Sequence, residues 1–199
     1  MRLIIATKNE GKLREVKKII GKLNIPVVSV ESLKEKISIR ENGKTFLENA
    51  KKKALAVSAR YVDDLVVSDD SGLCVDFLHG APGVLSKRFS GRNATDAGNN
   101  TKLLRKLKNA AGRKRKAQYY CAVALAKNKR IIKTFNGRLN GFISSVPKGI
   151  KGFGYDPVFY LPELRKTAAQ IPLKEKNSIS HRFKAFKKLK SYLIKHENI

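Results

Sequence analysis

Two adjacent carboxylates, Asp69 and Asp70, follow a short apolar run at residues 65–67 in a chain that has few acidic residues. The 199 residues include 43 lysines and arginines against 16 aspartates and glutamates, a formal net charge of +27. An apolar run that ends in Asp-Asp-Ser-Gly predicts a buried strand that enters a turn. Both carboxylates would then lie at the carboxyl end of the strand, where open α/β folds bind ligands. Carboxylates in that position favour a metal ion or a general base.

A second polar segment, Thr7-Lys8-Asn9-Glu10-Gly11-Lys12, lies between a predicted strand and a predicted helix. The free N–H groups and the dipole at the start of a helix attract anions, so this junction is a candidate phosphate site. It is not a Walker A loop, because the Gly-x-x-x-x-Gly-Lys-Ser/Thr pattern is absent from it. Asn9 as an ordinary helix N-cap explains the segment at least as well.

Two basic residues, His181 and Arg182, follow Ser180 at the start of the last predicted helix. Ser180 is a favourable N-cap, but positive charge is disfavoured in the first turn of a helix. A bound anion would remove this conflict. A solvent-exposed basic start in a lysine-rich protein would also explain it, and the sequence leaves both interpretations open. Lys176 is a further candidate phosphate ligand.

A glycine-rich segment at residues 149–157 contains Phe153-Gly154-Tyr155-Asp156. Glycines allow the main chain to approach a ligand closely, aromatic rings stack on a base, and the Asp156 carboxylate accepts hydrogen bonds from its edge. The alternative is a loop that leads into a strand and sends its aromatic side chains into the core. Taken in isolation, the segment favours that alternative.

Hydrophobic periodicity predicts the elements that position these residues. Strands are expected at residues 2–6, 26–30, 65–67, 118–126 and 131–135. Helices are expected where apolar residues recur at helical spacing, at residues 13–23, 46–57, 103–107 and 183–193. Helices alternate with strands at first and paired strands follow, which predicts an α/β fold with a mixed sheet.

Composition predicts a soluble protein of the cytoplasm that has either one sizeable core or two lobes sharing a sheet. Hydrophobic residues make up 42% of the chain, enough for one sizeable core. The longest apolar run, residues 119–126, is far below the roughly 18 residues that span a bilayer. The first residues lack the apolar stretch of a signal peptide. Cys74 and Cys121 lack metal-ligand spacing, which predicts buried reduced thiols.

The basic excess is spread along the chain, and its one block is Arg113-Lys114-Arg115-Lys116. This block lies between a predicted helix and a predicted strand, where a solvated loop is favoured over a nucleic-acid contact. A positive field favours polyanionic substrates, including nucleoside triphosphates.

Five motifs follow one another along nearly the whole chain. They are Thr7-x-Asn9-x-x-Lys12, Gly43-x-Thr45-Phe46-x-Glu48-Asn49-Ala50, Asp69-Asp70-Ser71-Gly72-Leu73 continuing to Arg88, Phe153-Gly154-Tyr155-Asp156-Pro157, and Glu175-Lys176 before Ser180-His181-Arg182. In this order and spacing they resemble the Ham1 or inosine triphosphate pyrophosphatase family, and in particular its bacterial-type enzymes that act on dITP, ITP and XTP.

The resemblance implies Mg²⁺-dependent hydrolysis of non-canonical purine nucleoside triphosphates to the monophosphate and pyrophosphate, which clears deaminated purines from the nucleotide pool. It also implies the two-lobed α/β fold shared by Maf and Ham1 proteins. That fold has a long mixed sheet flanked by helices and an active-site cleft between the lobes. One pyrophosphatase domain over residues 1–199 and a homodimer are expected. Nucleic acid is not required, although the net charge is compatible with weak non-specific binding.

The resemblance further assigns roles to individual residues. Asp70 would be the proton acceptor and a Mg²⁺ ligand, with Glu41 as the second acidic ligand. The triphosphate would be held by Thr7, Lys8, Asn9, Glu10, Gly11 and Lys12. The other nucleotide contacts would be Ser71, Phe153, Gly154, Tyr155, Asp156, Lys176, His181 and Arg182, with residues 153–156 framing the base. Adjacent side chains on an extended strand point to opposite faces, so only one of Asp69 and Asp70 is expected to face the metal.

Two other functions stay open on the sequence alone. A Maf-type nucleotide pyrophosphatase shares the fold but does not predict the Ser180-His181-Arg182 motif. A non-enzymatic basic nucleic-acid-binding protein explains the charge but leaves Asp69-Asp70 unexplained. A P-loop kinase or GTPase is disfavoured, because the Walker A motif is missing.

Overall fold

The computed structural model describes residues 1–21, 23–33, 37–39 and 41–196. The helices are α1 (Glu10–Ile20), α2 (Phe46–Ser58), α3 (Asp96–Lys106), α4 (Leu173–Ile179) and α5 (His181–Lys195). The strands are β1 (Leu3–Ile5), β2 (Val27–Ser29), β3 (Leu65–Val75), β4 (Lys116–Lys127), β5 (Arg130–Ile143), β6 (Phe159–Leu161) and β7 (Lys166–Thr167). The strands form one sheet in the order β2-β1-β3-β4-β5-β6-β7.

The sheet is mixed. Strand β1 is parallel to both β2 and β3, whereas β6 is antiparallel to both β5 and β7. Helices α1 and α2 lie in the connections between the parallel strands, as crossover connections require. Strands covered on both faces carry continuous apolar sequences, which explains the buried apolar residues of β1 and of the first part of β3. The predicted α/β class with a mixed sheet is therefore confirmed.

The carboxyl end of β3 was predicted wrongly. The strand does not enter a turn at Asp69 but continues to Val75, so both carboxylates lie in its middle. Its neighbour β1 ends at Ile5, which is paired with Val67. Asp69 and Asp70 thus lie beyond the carboxyl end of β1 rather than of β3. Polar residues within a strand resemble a strand end in the sequence, but here the folded protein supplies partners for both carboxylates.

The second half of the sheet contains a hairpin and two short strands. Asn128 and Lys129 join β4 to β5 and have φ angles of 45° and 60°, as a two-residue type I′ hairpin turn requires. Both strands are longer than predicted. Strand β6 is the strand that was expected, without bounds, after the glycine-rich segment. Strand β7 was not predicted, because two residues are too few to show a period.

The chain forms two compact units. The first contains the described residues of Met1–Ser71, Cys121–Gly137 and His181–Ile199, and the second contains Gly72–Tyr120 and Arg138–Ser180. Strands β3, β4 and β5 contribute residues to both units. A single domain over residues 1–199 and an active-site cleft stay predictions.

The first unit has a core of apolar residues from β1, β3, β4, α1 and α5. Val16, Phe186 and Leu189 are fully buried in it. Helix α1 ends earlier than predicted, because Gly21 has a φ of 60° and its N–H donates to the Lys17 carbonyl at 2.9 Å. A glycine in the left-handed conformation terminates a helix, so Leu23 lies outside it.

The second unit has its own core, in which the rings of Tyr119 and Phe159 pack with centroids 4.5 Å apart. The Arg115 guanidinium donates to the carbonyls of Leu107, Ala110, Ile143 and Ser144. The side chain of Arg115 thus joins carbonyls that follow α3 to carbonyls at the end of β5. The other members of the basic block, Arg113, Lys114 and Lys116, are exposed, and the choice between a solvated segment and a nucleic-acid contact stays a prediction for them.

Cys121 is buried and Cys74 is half-buried, and both are free thiols. The predicted burial is therefore confirmed for Cys121 and wrong for Cys74, whereas the reduced state stays a prediction. Burial raises the pKa of the Cys121 thiol well above its ordinary value. Among the described residues, no helix is both long enough and apolar enough to cross a membrane.

Gly137 lies on β5 directly against the main chain of α5. A Cβ atom at this position would lie 2.1 Å from the His181 carbonyl oxygen and 2.7 Å from the Ala185 nitrogen. Main-chain atoms of a packed helix do not rotate away, so we expect Gly137→Ala to lower the free energy of unfolding by about 3 kcal/mol. Denaturant unfolding followed by circular dichroism measures this change.

The matched control is Asn136→Ala, because Asn136 is the exposed neighbour of Gly137 on the same strand. Its free energy of unfolding should change by less than about 0.5 kcal/mol. Equal stability of the two variants would contradict the close approach of β5 and α5.

Candidate active site

The junction between β1 and α1 is built as a helix cap. Asn9 is the N-cap, and its side-chain oxygen accepts the Lys12 N–H at 3.0 Å. The Thr7 hydroxyl in turn accepts the Asn9 N–H at 3.3 Å. Lys8 and Glu10 are exposed, whereas Lys12 is half-buried. The N-cap interpretation of Asn9 is confirmed, and phosphate binding by this junction stays a prediction.

Asp69 is 2% exposed and holds two cations of the first unit. One carboxylate oxygen lies 3.0 Å from the Lys12 ammonium and 3.4 Å from Arg182 Nε. Arg182 also contacts Glu15 at 2.5 Å through Nη1 and donates to the Ser71 hydroxyl at 2.7 Å through Nη2. The side chains of β3, α1 and α5 thus form one buried network of alternating charge, which we call the Asp69 network.

This network resolves the charge conflict at the start of α5. Arg182 is only 2% exposed, so a solvent-exposed basic start was the wrong interpretation for this residue. Two carboxylates, Asp69 and Glu15, balance the guanidinium from within the unit. His181, at the first position of α5, is 8% exposed.

Asp70 faces a different set of partners. Its carboxylate accepts hydrogen bonds from Asn49 Nδ2 at 2.9 Å and from the Ser71 N–H at 3.0 Å. The Lys53 ammonium lies 3.9 Å from the same carboxylate and 2.8 Å from Glu41. One lysine therefore lies between the two carboxylates that were predicted as metal ligands.

Helix α2 positions the two partners of Asp70, because Asn49 and Lys53 are one helical turn apart. Thr45 caps the helix by accepting the Glu48 N–H at 3.1 Å, and Glu48 accepts the Lys44 N–H at 2.8 Å in return. The second contact reaches the residue before the N-cap, so it holds the incoming chain against the first turn of α2. Sequence analysis assigned no role to Asn49 or Lys53. Two polar residues at helical spacing beside the apolar face of α2 are the signal that would have found them.

The environments of Asp69 and Asp70 shift their pKa values in opposite directions. Burial by itself would raise the pKa of Asp69, but the charges of Lys12, Arg182 and Lys53 hold it well below its ordinary value. Burial raises the pKa of Asp70, and Lys53 and Lys12 only partly oppose that effect. Neighbouring carboxylates whose pKa values are pushed apart take different roles in a site. Asp70 is the more basic of the two.

The second unit holds a group of contacts around Asp156, which is 1% exposed. Its carboxylate contacts the Lys176 ammonium and accepts the Phe153 N–H at 2.8 Å and the Tyr119 hydroxyl at 3.3 Å. Burial raises the pKa of Asp156, and the charge of Lys176 opposes this shift. Gly152 has a φ of 82°, and a Cβ atom there would lie 2.1 Å from the Asp156 carboxylate.

The two aromatic residues of this segment differ in burial. Tyr155 is buried in the core and donates its hydroxyl to the Ser86 carbonyl at 2.8 Å. Phe153 is 43% exposed, and the Lys176 ammonium lies 4.7 Å from its ring centroid. Entry into the core was thus the correct interpretation for Tyr155, whereas Phe153 keeps a ring that a ligand can reach.

The residues predicted for the site fall into two groups. Those in the first unit are Thr7, Lys8, Asn9, Glu10, Gly11, Lys12, Glu41, Asp70, Ser71, His181 and Arg182. Those in the second unit are Phe153, Gly154, Tyr155, Asp156 and Lys176. Within the first group the structure brings Lys12 to Arg182 through Asp69, and Glu41 to Asp70 through Lys53.

A model of the Ham1 family matches residues 3–192 of this chain. The chain belongs to the Ham1 family. Over 192 residues it is 45% identical to a dITP/XTP pyrophosphatase of Geobacter sulfurreducens, covering 96% of each chain. Over 193 residues it is 45% identical to a dITP/XTP pyrophosphatase of Listeria monocytogenes, covering 97% of this chain and 95% of the other.

Solved Ham1 structures are similar to this one along their whole length. A Ham1 protein from Coxiella burnetii superposes with a TM-score of 0.90 at 36% identity, covering 98% of this chain and 99% of the other. The Staphylococcus aureus Ham1 protein gives 0.89 at 38% identity, covering 98% and 100%. The predicted family is therefore confirmed for both sequence and fold.

In this Ham1 family member, Asp69→Asn should destabilise the fold at neutral pH. The substitution leaves Lys12 and Arg182 without one buried counter-charge, and the free energy of unfolding should fall by about 3–5 kcal/mol. Because folding lowers the pKa of Asp69, its stabilisation is complete above the unfolded value of about 3.9 and is lost as the pH falls below it. The difference from the unsubstituted protein should therefore shrink below about pH 4.

Asp63→Asn is the matched control, since Asp63 is exposed just before β3. Urea unfolding at a series of pH values between 3 and 8 measures both variants. A difference between Asp69→Asn and the unsubstituted protein that stays constant over this range would contradict the electrostatic role of Asp69.

Proposed function

We propose that this protein hydrolyses the non-canonical purine nucleoside triphosphates dITP, ITP and XTP to the monophosphate and pyrophosphate, with Mg²⁺ as cofactor. Its membership of the Ham1 family and its similarity to dITP/XTP pyrophosphatases support the reaction. One observation of the site supports it above all. Asp70, a carboxylate with a raised pKa, lies beside Lys53 and close to a second carboxylate, Glu41.

The carboxylates of Asp70 and Glu41 form a donor set that suits Mg²⁺. Asp70 and Glu41 both face the Lys53 ammonium, so their oxygens already converge on one cation. Mg²⁺ usually binds through one or two carboxylates plus substrate phosphates. Among the described residues no group of three or more His, Cys, Asp or Glu side chains could hold a metal, so phosphate oxygens and water would supply the other ligands. When bound, the ion would neutralise charge on the phosphates.

Asp70 is the proposed general base. Its raised pKa makes it a stronger proton acceptor than an ordinary aspartate, and general bases work best when their pKa is close to the working pH. Asp70 would take a proton from a water molecule that attacks the α-phosphorus. The bond from that phosphorus to the oxygen bridging to the β-phosphate would break, and pyrophosphate would leave.

Lys12 and Lys53 are the proposed charge-neutralising side chains. Phosphoryl transfer requires positioning and charge neutralisation more than covalent chemistry. Lys12 is held by Asp69, and Lys53 by Glu41 and Asp70, so both ammonium groups are fixed before substrate binds. Prepositioned charges stabilise a transition state without the cost of reorganisation.

The base would be recognised by residues 153–156. The half-exposed ring of Phe153 is suited to stacking on a purine. Hypoxanthine and xanthine carry a keto oxygen where adenine carries an amino group, so main-chain donors facing that position would reject adenine by remaining unpaired. The proposal further includes a cytoplasmic location, where the nucleotide pool lies, a homodimer and a single domain over residues 1–199, all carried by the family resemblance.

Replacement of Asp70 should remove turnover. General-base catalysis contributes about 10²–10⁴-fold, so kcat of Asp70→Asn for ITP should fall by that factor while the protein stays folded. The assay incubates the protein with Mg²⁺ and ITP, XTP, dITP, GTP, ATP or dUTP and resolves the phosphorus-containing products. Asp63→Asn, an exposed substitution, should keep full activity.

The products decide between the proposal and its rivals. IMP with pyrophosphate, strongly favoured over products from GTP and ATP, supports the proposed reaction and its selectivity. Diphosphate with orthophosphate would move cleavage to the γ-phosphate and overturn the mechanism. No turnover of any nucleotide, with salt-dependent oligonucleotide binding, would favour the nucleic-acid-binding alternative.

Glu41→Gln should weaken Mg²⁺ binding at the proposed metal site. The substitution keeps the shape but removes one anionic ligand, so the Mg²⁺ concentration for half-maximal activity should rise by about tenfold. The control is Glu31→Gln, because Glu31 is an exposed carboxylate of the same unit. An unchanged Mg²⁺ dependence in Glu41→Gln would remove Glu41 from the proposed metal site.

A further inference from the structure

Both main-chain polar groups of Gly154 are held by α3. The Gly154 N–H donates to the Asp96 carboxylate at 2.7 Å, and the Asn100 side-chain amide donates to the Gly154 carbonyl at 3.0 Å. Asp96 and Asn100 are one helical turn apart and so lie on one face of α3. We call this pair of contacts the Gly154 clamp.

Asn100 makes this contact at a cost. It is 7% exposed, and its side-chain oxygen finds no hydrogen-bond partner among the described residues. Buried polar atoms are nearly always hydrogen-bonded, so an exception calls for an explanation. The bond from the other end of the same amide to Gly154 explains why an asparagine lies here.

Packing does not hold Gly154 on this side. A pocket of about 420 Å³ lies between α3 and residues 149–154, and a Cβ atom built on Gly154 would meet no atom within 4 Å. Gly154 has a φ of 65°, and a glycine with open space around it has many other conformations available. Three hydrogen bonds keep this conformation: the two bonds of the clamp and the turn bond from the Asp156 N–H to the Phe153 carbonyl at 3.3 Å.

Phe153 depends on that conformation. Its own N–H is held by Asp156, and Gly152 before it is confined by the same carboxylate. The residue after Gly154, Tyr155, is anchored through its hydroxyl to Ser86. The main chain of Gly154 is thus held from α3, and its torsion angles help to set the direction of the half-exposed Phe153 ring.

We propose that Asp96 and Asn100 are positioning residues that determine base specificity by holding Gly154 and, through it, the Phe153 ring. This inference rests on the proposed function, in which Phe153 stacks on the purine. Neither residue is assigned a contact with the reacting phosphate. Loss of the clamp should therefore weaken nucleotide binding and selectivity and leave the chemical step in place.

Asp96→Ala tests this directly, because Asp96 is exposed and its loss leaves the core intact. KM for ITP should rise about tenfold, as expected for a lost charge-assisted hydrogen bond. The preference for ITP over ATP should fall, and kcat should stay within about twofold of its original value. Asp96→Asn keeps an acceptor and should restore most of the original KM. Asn100→Leu should match Asp96→Ala.

Thr101→Ala is the matched control on the same helix, since the Thr101 hydroxyl donates to the Ala97 carbonyl within α3. It should leave KM and selectivity unchanged. A fall in kcat with unchanged KM in Asp96→Ala would overturn the proposal. So would an equal rise in KM in Asp96→Ala and Thr101→Ala, since that would mean general damage to α3.

A double-mutant cycle tests the route through Phe153. If the clamp acts through that ring, Asp96→Ala should have little further effect on KM in a Phe153→Ala background. Additive effects of the two substitutions would overturn the proposed route.

Amide hydrogen exchange separates this inference from the proposed function. A protein that hydrolyses none of the nucleotides fails the proposed function, and with it the specificity role. The clamp itself is then judged by exchange in residues 150–156, which should be faster in Asp96→Ala than in Thr101→Ala. Equal exchange in the two variants would show that the clamp does not hold the segment. Selective turnover that Asp96→Ala leaves unaltered would overturn the inference and keep the proposed function.

Discussion

The buried charge of Asp69 is the constraint on which the first unit depends. A carboxylate at 2% exposure has to find its counter-charges inside the protein, and it finds them on two helices, at Lys12 of α1 and Arg182 of α5. The same contacts place a lysine and an arginine near the end of β1. Glu15 keeps Arg182 neutralised from its other side. The charge pairing that holds these elements together thus also fixes the ammonium group of Lys12, which we propose as a phosphate contact.

One strand carries two aspartates with opposite properties, and the physical reason is the alternation of side chains along it. Asp69 contacts two cations in the buried network and keeps a low pKa. Asp70 meets the α2 residues Asn49 and Lys53, is half-buried, and has a raised pKa. Asp69 therefore has a structural role as an ion pair, and its neighbour Asp70 has the proposed chemical role. The same residue type serves both roles.

In the second unit the main structural feature is an aromatic ring, that of Phe153, which stays half-exposed at the surface. Tyr155 and Asp156 enter the core, whereas Phe153 stays half-exposed between two glycines of positive φ. Hydrogen bonds rather than packing hold the glycine next to α3, beside an open pocket. Under the proposal, base specificity would depend on single side chains such as Asp96 that are assigned no contact with the reacting phosphate.

Periodicity, caps and ordered motifs were enough to predict the α/β class, four helices, the N-cap at Asn9 and the family, because these depend on neighbours within a few residues or on spacing along the chain. Helix α4 was not predicted, because its seven residues include only two apolar side chains. The interior course of β3, the burial of Arg182 and the pairing of Lys53 with both Glu41 and Asp70 depend on tertiary structure. Each is set by partners many residues away, whose charges offset burial costs that local sequence cannot reveal. The sequence alone therefore determined the fold class and the candidate residues, and only the tertiary structure decided which carboxylate is neutralised and which is left basic.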